Sequence, residues 1–232
     1  MFNIERQERI LEIVQERKSV TVRKLSELVY ASEATIRRDL TELEKGGRIR
    51  RTFGGAVWEE VLTKEVPLLL RQSQNSRVKA EIARQAAGHV KNGQVVFMDA
   101  SSTVYQLVPF LSQFKDLTVI TNSPQTSIAL GKAGIRNFCT GGMLLANSIA
   151  YVGQHAESFL RRIHADVMFF SCRGYQPETG DITDSSMEES ALRAVMLQQA
   201  KKKVFLCDSS KFGKEYLYTL CNREEIDLII SD

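Results

Sequence analysis

The segment SEATIRRDLTELEKGGRIRRTFGGA, residues 32–56, orders a capping serine, an apolar stripe, a glycine pair, a basic segment and a second glycine pair in one short run. Ser32 suits a helix N-cap, because its oxygen can accept a backbone N–H that the first turn leaves unpaired. Ile36, Leu40 and Leu43 follow at i, i+4 and i+7 and share a narrow sector of the helical wheel, which predicts a core-facing stripe. Ala34, Arg38, Thr41 and Lys45 lie on the opposite side, with Arg37 beside them and Thr35 flanking the stripe. The outer face is therefore basic and carries hydroxyls. Gly46 and Gly47 end the helix, since glycine takes the left-handed conformation without steric cost. The run RIRRTFGGAVW, residues 48–58, then reads as a two-stranded hairpin around its glycines, with its arginines exposed.

Upstream, IERQERILEIVQER (residues 4–17) sets Ile4, Ile10, Ile13 and Val14 on one face of a first helix. TVRKLSELV (residues 21–29) opens on the capping residue Thr21 and repeats Val22, Leu25, Leu28 and Val29, a second, shorter helix. Three helices and a basic hairpin compose a winged helix-turn-helix. In that arrangement the third helix enters the major groove of duplex DNA, and Arg48, Arg50 and Arg51 of the wing reach phosphates or the minor groove. Ser32, Thr35, Arg37, Arg38, Thr41 and Lys45 complete the expected DNA-facing set. The plainer reading is a solvated face in which these arginines pair with Glu33, Asp39, Glu42 and Glu44. The order of elements favours DNA, and so does the charge. Residues 1–57 hold 12 Lys/Arg against 9 Asp/Glu, whereas residues 58–232 hold 19 against 19, so the whole excess of +3 sits in the first quarter of the chain.

At 232 residues the chain is long enough for a small domain joined to a larger one. We expect DNA binding in residues 1–57, a linker over residues 58–75, where Pro67 and polar residues interrupt any period, and a larger domain over residues 76–232. The charged start FNIERQER lacks the apolar run of a secretory leader, and no stretch approaches the roughly 18 apolar residues of a membrane span. A cytoplasmic protein with no membrane partner is expected. Cys139, Cys172, Cys207 and Cys221 are widely spaced, without C-x-x-C or a neighbouring histidine, so neither a metal site nor a disulfide framework is expected. His89, His155 and His164 read as structural or surface residues, and no G-x-G-x-x-G or P-loop sequence calls for a nucleotide cofactor.

Beyond the linker, Val78, Ile82, Ala86 and Val90 begin a new amphipathic helix. One pattern then recurs: a short apolar run closes on small polar residues before the next segment. The runs are VVFMDASST, LTVITNS, NFCTGG, DVMFFSCRG, KVFLCDSSK and DLIISD. Strands so continuously apolar are buried on both faces, which predicts an α/β domain with a mainly parallel sheet. Ligands of such sheets bind beyond the carboxyl ends of the strands. Ser101, Ser102 and Thr103 suit an anion, typically phosphate, at a helix start; Thr121 and Asn122 suit sugar hydroxyls; Gly141 and Gly142 allow close approach; Lys211 adds a cation. Each loop taken alone also reads as an ordinary helix cap.

The 32–56 segment closely resembles the signature of the DeoR family of bacterial transcriptional regulators, in which a Ser-x-x-Thr-Ile-Arg-Arg-Asp-Leu helix precedes a Gly-Gly wing. The resemblance extends along almost the whole chain and implies a sensor domain similar to ribose-phosphate isomerases, binding phosphorylated sugars. Asp99 to Thr103 (DASST) takes the place of the family's Asp-x-Gly-Thr-Thr loop, while Thr121-Asn122, Gly141-Gly142 and DSSKFG at residues 208–213 match directly. GDITDSSMEESALR, with Asp184, resembles the loop and helix where the family has a Glu followed four residues later by Lys; here they are Glu189 and Arg193. The resemblance implies a repressor of carbohydrate genes that acts as a homodimer or higher even oligomer on operator DNA. The alternative is a sugar-phosphate isomerase-like enzyme with a DNA-binding appendage, for which Asp99, Asp181, Asp184, Glu188 and Glu189 offer candidate bases.

Overall fold

The computed structural model describes residues 3–45, 49–52, 54–57 and 67–232, with Asn3, Ile4, Lys45 and Arg50 described by their backbone alone. They form two compact units, Met1–Leu70 and Arg71–Asp232. The larger one thus begins within the stretch expected as a linker, which also contains a short helix.

In the first unit, α1 (Asn3–Arg17), α2 (Val22–Val29) and α3 (Glu33–Lys45) pack around Ile10, Val14, Leu25, Ile36, Leu40 and Leu43, all buried. Thr21 caps α2 by accepting the Lys24 N–H at 3.2 Å, and Ser32 accepts the Thr35 N–H at 3.2 Å. The expected hairpin is part of a three-stranded sheet. Strand β1 (Ser19–Thr21) pairs antiparallel with β3 (Gly55–Val57), which also pairs with β2 (Arg50–Thr52). Three residues are too few to display a period, so β1 left no sequence signal. The second glycine pair has a matching correction. A Cβ on Gly55 would lie 2.1 Å from the Val20 carbonyl oxygen, so this glycine permits the close approach of β1 as well as the turn. Gly46, Gly47 and Arg48 lie outside the described residues.

Helix α4 (Leu68–Ser73) crosses the boundary between the units. In the larger unit α5 (Ser76–Ala87) leads to β4 (Val95–Met98), followed by α6 (Ser102–Tyr105), α7 (Val108–Leu111), β5 (Thr118–Thr121), α8 (Pro124–Lys132) and β6 (Arg136–Cys139). A hairpin of β7 (Met143–Leu145) and β8 (Ala150–Val152) precedes α9 (Gln154–Leu160) and β9 (Ala165–Phe170). Then come β10 (Gly174–Tyr175), β11 (Asp181–Asp184), α10 (Met187–Gln199), β12 (Ala200–Leu206), β13 (Tyr218–Asn222) and β14 (Leu228–Ile230).

The six apolar runs of the sequence supply the six strands of one wholly parallel sheet, in the order β14-β12-β9-β4-β5-β6. Both faces are buried, and β9 shows why. Val167 and Phe169 pack with Ile82, Ala86, Leu107 and Leu111 on one face, while Met168 and Phe170 pack with Leu160, Leu192 and Met196 on the other. Alternate residues of an apolar strand thus each find a helical layer. Strands β10, β11 and β13 form a separate antiparallel sheet. The chain adds β5 and β6 on one side of β4 and returns to add β9 on the other, so the topological switch point lies between β4 and β9.

Tyr30 closes α2 in the left-handed conformation, at φ 53°, with its side chain 95% exposed. A residue with a Cβ pays about 1–2 kcal/mol there, and this side chain has little packing to set against it. Tyr30→Gly should therefore stabilise the first unit by about 1 kcal/mol. Urea unfolding followed by helical circular dichroism checks this, and a loss of stability would contradict it.

Candidate functional site

The basic helix of the first unit is fixed by a charge pair that faces inward. Asp39, 1% exposed, accepts two bonds from Arg6 of α1, at 2.6 Å from Nε and 3.1 Å from Nη2. Its sequence neighbour Arg38 is exposed and has no ion-pair partner among the described residues. Arg37 is exposed too and lies 3.4 Å from Glu33. Glu42 accepts from Gln7, and Glu44 accepts the Arg51 backbone N–H at 2.8 Å. The solvated-face reading therefore holds for Arg37 but leaves Arg38 unpaired, and Asp39 is a core residue, not a surface counter-ion.

Arg51 is exposed and donates through Nη1 to Thr41 Oγ1 at 2.7 Å, which joins the wing to α3. Thr41 in turn donates to the Arg37 carbonyl at 2.8 Å, and the Ser32 and Thr35 hydroxyls lie 2.9 Å apart. Ser32, Thr35, Arg37, Arg38, Thr41 and Arg51 thus lie on α3, its cap and the adjoining strand. Arg48 is outside the described residues, as are the side chains of Lys45 and Arg50.

In the larger unit, polar groups converge on the carboxyl edge of the sheet, centred on the switch point. Asp99, just beyond β4, is fully buried; it accepts the Ser101 N–H at 3.1 Å and, across the switch point, the Ser171 N–H beyond β9 at 3.2 Å. Arg193 on α10 binds three carboxylates: Nε to Asp99 at 2.9 Å, Nη1 to Asp184 at 2.7 Å and Nη2 to Glu189 at 3.4 Å. Arg173 Nε stands 3.4 Å from the other Asp184 oxygen. Burial pushes the Asp99 carboxyl up, and Arg193 only partly offsets it. Burial also works against the Asp184 charge, but there Arg193 and Arg173 prevail and hold its pKa below the ordinary value.

Beside this cluster two ammonium groups flank the DASST loop. Lys211 Nζ donates to Ser171 Oγ at 2.6 Å and to Thr103 Oγ1 at 3.4 Å, and lies 3.4 Å from Asp208. Lys79 on α5, 5% exposed, donates to Ser102 Oγ at 3.1 Å and to the Arg71 carbonyl. Burial first, and then the charge of Lys211, lowers the Lys79 pKa to about 8. Lys79, Ser171 and Arg173 were not among the residues expected here, and Asp208 was named only as part of the matching DSSKFG segment. A signal for Lys79 did exist: it sits between Val78 and Ile82 on the apolar face of its helix, where a charge needs a reason. Asp208, buried like Lys79 and Ser171, is held below its ordinary pKa because Lys211 and the Ser210 hydroxyl outweigh its burial.

The remaining predicted residues have internal tasks. Ser101 caps α6, accepting the Val104 N–H at 3.2 Å. Thr121 accepts the Ser123 N–H at 3.1 Å, and Asn122 donates to the Tyr151 carbonyl at 3.1 Å, which pins β8; its Oδ1 is buried without a hydrogen-bond partner. Gly141 and Gly142 have φ of 64° and 114°, and a Cβ on Gly142 would lie 2.6 Å from the Val152 carbonyl oxygen. Gly142 is thus explained by the packing of β8 without appeal to a ligand. Cys172, Cys207 and Cys221 are buried thiols whose pKa burial pushes up, Cys207 and Cys221 to about 12. Among the described residues no group of side chains has metal-binding geometry, and no helix is long and apolar enough to cross a membrane.

Comparison with known proteins agrees with both units. The DeoR-like helix-turn-helix domain matches residues 6–61, and the DeoR C terminal sensor domain matches residues 74–232. The chain is 36% identical to the HTH-type transcriptional regulator GolR of Listeria innocua, over all of this chain and 91% of that one. It is 30% identical to a putative aga operon transcriptional repressor of Escherichia coli O157:H7, over 98% of this chain and 86% of the other. Identity to the L-fucose operon activator of Escherichia coli K12 is 32%, over 98% and 94%. Among solved structures, ribose 5-phosphate isomerase A from Methanocaldococcus jannaschii aligns with a TM-score of 0.46 at 16% identity, over 60% of this chain and 55% of that one. With a helix-turn-helix unit and a sensor unit matched along nearly its full length, the chain belongs to the DeoR family of transcriptional regulators.

Proposed function

We propose that this regulator represses genes of carbohydrate uptake or catabolism and leaves its operator when a phosphorylated sugar fills the pocket of the larger unit. The observation that carries this reading is the pair of ammonium groups, Lys79 and Lys211, on either side of Ser102 and Thr103. Two cations that repel one another, with Asp208 as the nearby compensating charge, favour a dianion between them. The phosphate sits there, and the sugar extends toward Asp99, Asp184, Glu189 and Arg193, with Thr121, Asn122, Gly141 and Gly142 at the neighbouring strand ends. Relatives include one named as an activator of a sugar operon and one named as a repressor; repression is the reading adopted here. A single winged helix reads one short half-site, so the working form is a dimer or higher even oligomer on repeated half-sites.

The enzyme alternative requires a carboxylate base free to take a proton from the substrate. Asp99, Asp184 and Glu189 are instead all bonded to Arg193, and arginine stays protonated at neutral pH; of the other two candidates, Asp181 accepts from Thr179 and Asn222, and Glu188 accepts from the Ser186 hydroxyl. Sensing without turnover is therefore our reading. Rapid isomerisation of any phosphorylated aldose by the intact protein would overturn it.

Arg38→Ala should weaken operator binding. If Arg38 reads a guanine edge, the loss is about 1–3 kcal/mol at one base position per half-site; if it holds phosphate, the loss is uniform and the salt slope becomes shallower. Gel-shift titrations at several salt concentrations distinguish the two, and parental affinity throughout would remove α3 from the interface.

Ser102→Glu places negative charge between the lysines. The variant should lose its response to sugar phosphates, measured as operator binding with and without a panel of them. A variant released as readily as the parent would place the phosphate elsewhere.

The Lys79 pKa, about 8 against an ordinary 10.5, sets a pH signature. Between those values the unfolded chain binds more protons at this site than the folded one, so the Lys79 contribution to stability rises with pH across that window. Binding of inorganic phosphate should weaken over the same window as the ammonium is lost. Thermal melts from pH 7 to 10 check both, with the rise absent in Lys79→Met; an identical pH profile in this variant would contradict the assignment.

A further inference from the structure

Side-chain bonds tie α4 and the residues just past it to the strand-end loops. The Arg71 carbonyl accepts from Lys79, whose ammonium also donates to Ser102 Oγ at 3.1 Å. Gln72 Oε1 accepts from Gln125 Nε2 on the first turn of α8 at 3.2 Å. Just past the helix, Asn75 Nδ2 lies 3.4 Å from both Asp208 Oδ1 and Ser210 Oγ, in the loop that carries Lys211. Residues 71–75 are therefore clasped to the strand-end loops that follow β4, β5 and β12. These residues are also where the chain leaves the larger unit in the direction of the DNA-binding unit.

The clasp at Lys79 is open to competition. A helix of six residues depends on contacts outside itself. Lys79 supplies such a contact from α5. Its two acceptors in the free protein, a carbonyl and a hydroxyl, are both neutral, whereas a charged oxygen adds Coulombic attraction to the hydrogen bond with the ammonium. The second tie is incomplete as well, since Gln72 Nε2 and Gln125 Oε1 are buried without hydrogen-bond partners.

We propose that an anion seated between Lys79 and Lys211 draws the Lys79 ammonium off the Arg71 carbonyl, so that filling the pocket frees α4 and passes occupancy to the chain that leads to the DNA-binding unit. The inference rests on the phosphate site proposed above, and the experiment separates the two. Hydrogen exchange of the full-length protein is followed with and without saturating inorganic phosphate, in peptides covering residues 68–74 and 100–106. Phosphate should protect residues 100–106 and speed exchange in residues 68–74 by roughly 10- to 100-fold, as expected for the loss of one hydrogen bond to a charged donor. Protection of residues 100–106 with unchanged or slower exchange in residues 68–74 would overturn the clasp and leave the phosphate site standing. No change in either peptide would overturn both. In Lys79→Met the free protein should already exchange residues 68–74 at the rate of the phosphate-bound parent, with β9 still protected as a check of folding. Parental protection of residues 68–74 in that folded variant would also overturn the clasp.

Discussion

One guanidinium organises the larger unit. Arg193 joins Asp99 at the end of β4, Asp184 at the end of β11 and Glu189 one turn earlier on its own helix, and all four residues are buried. Three carboxylates withdrawn from water repel one another, and leaving any of them uncompensated costs about 3–5 kcal/mol. Arginine meets the demand because five N–H donors in a rigid fork can serve several carboxylates at once, whereas a lysine offers a single point charge. The parallel sheet, the small antiparallel sheet and α10 therefore share a common anchor. Two of its acids respond to pH in opposite senses. Asp184, with its pKa depressed, contributes stability that is present above the carboxylate range and lost as pH falls through its folded value. Asp99, with its pKa raised by burial, is less unfavourable when protonated, so its own contribution improves on acidification.

That anchor divides the carboxyl edge of the sheet by charge. On one side the acids are bound to arginine; on the other Lys79 and Lys211 have mostly hydroxyl and carbonyl partners. A ligand with an anionic end and a hydroxyl-rich end matches such a gradient, and the switch point supplies the place, because the strands on either side of it send their loops apart. Asp99 bridges the two strands there through the backbone N–H groups of Ser101 and Ser171. A shift of either loop is thus felt by Arg193 through a single hydrogen bond.

The sheet was legible from sequence because each of its strands is apolar on both faces, and a continuous apolar run bounded by polar residues has few other uses. The helices of the first unit were legible through caps and stripes of the right period. Strands β1, β7, β8 and β10 were not, since two or three residues cannot establish alternation and pairing fixed them from outside. In the pocket, Asp99, Ser102, Thr103, Glu189, Arg193 and Lys211 stood out at strand ends or through family resemblance. Lys79 did not, because it lies far from those loops along the chain. Gly142 and Asn122 show the converse. Their polar or flexible character had a structural cause in the bond from Asn122 to Tyr151 of β8 and in the close approach of the Val152 carbonyl to Gly142, and a strand-end position alone does not separate support from contact.

The first unit applies the same economy of charge to adjacent residues. Arg38 and Asp39 are about 100° apart on the helix, enough to send one outward and the other into the core. Asp39 takes a paired contact from Arg6 and holds α3 against α1. Glu42 and Glu44, which would otherwise compete for the outward arginines, are engaged by Gln7 and by the Arg51 backbone. Much of the local negative charge is thereby directed away from Arg38, while the Arg51 guanidinium is steered onto Thr41 at the same surface. A basic face that kept all its acids beside its arginines would be largely self-neutralised. Here Asp39, Glu42 and Glu44 fasten the unit's own elements while Glu33 pairs with the outward Arg37, and that arrangement leaves positive charge available for a phosphate backbone.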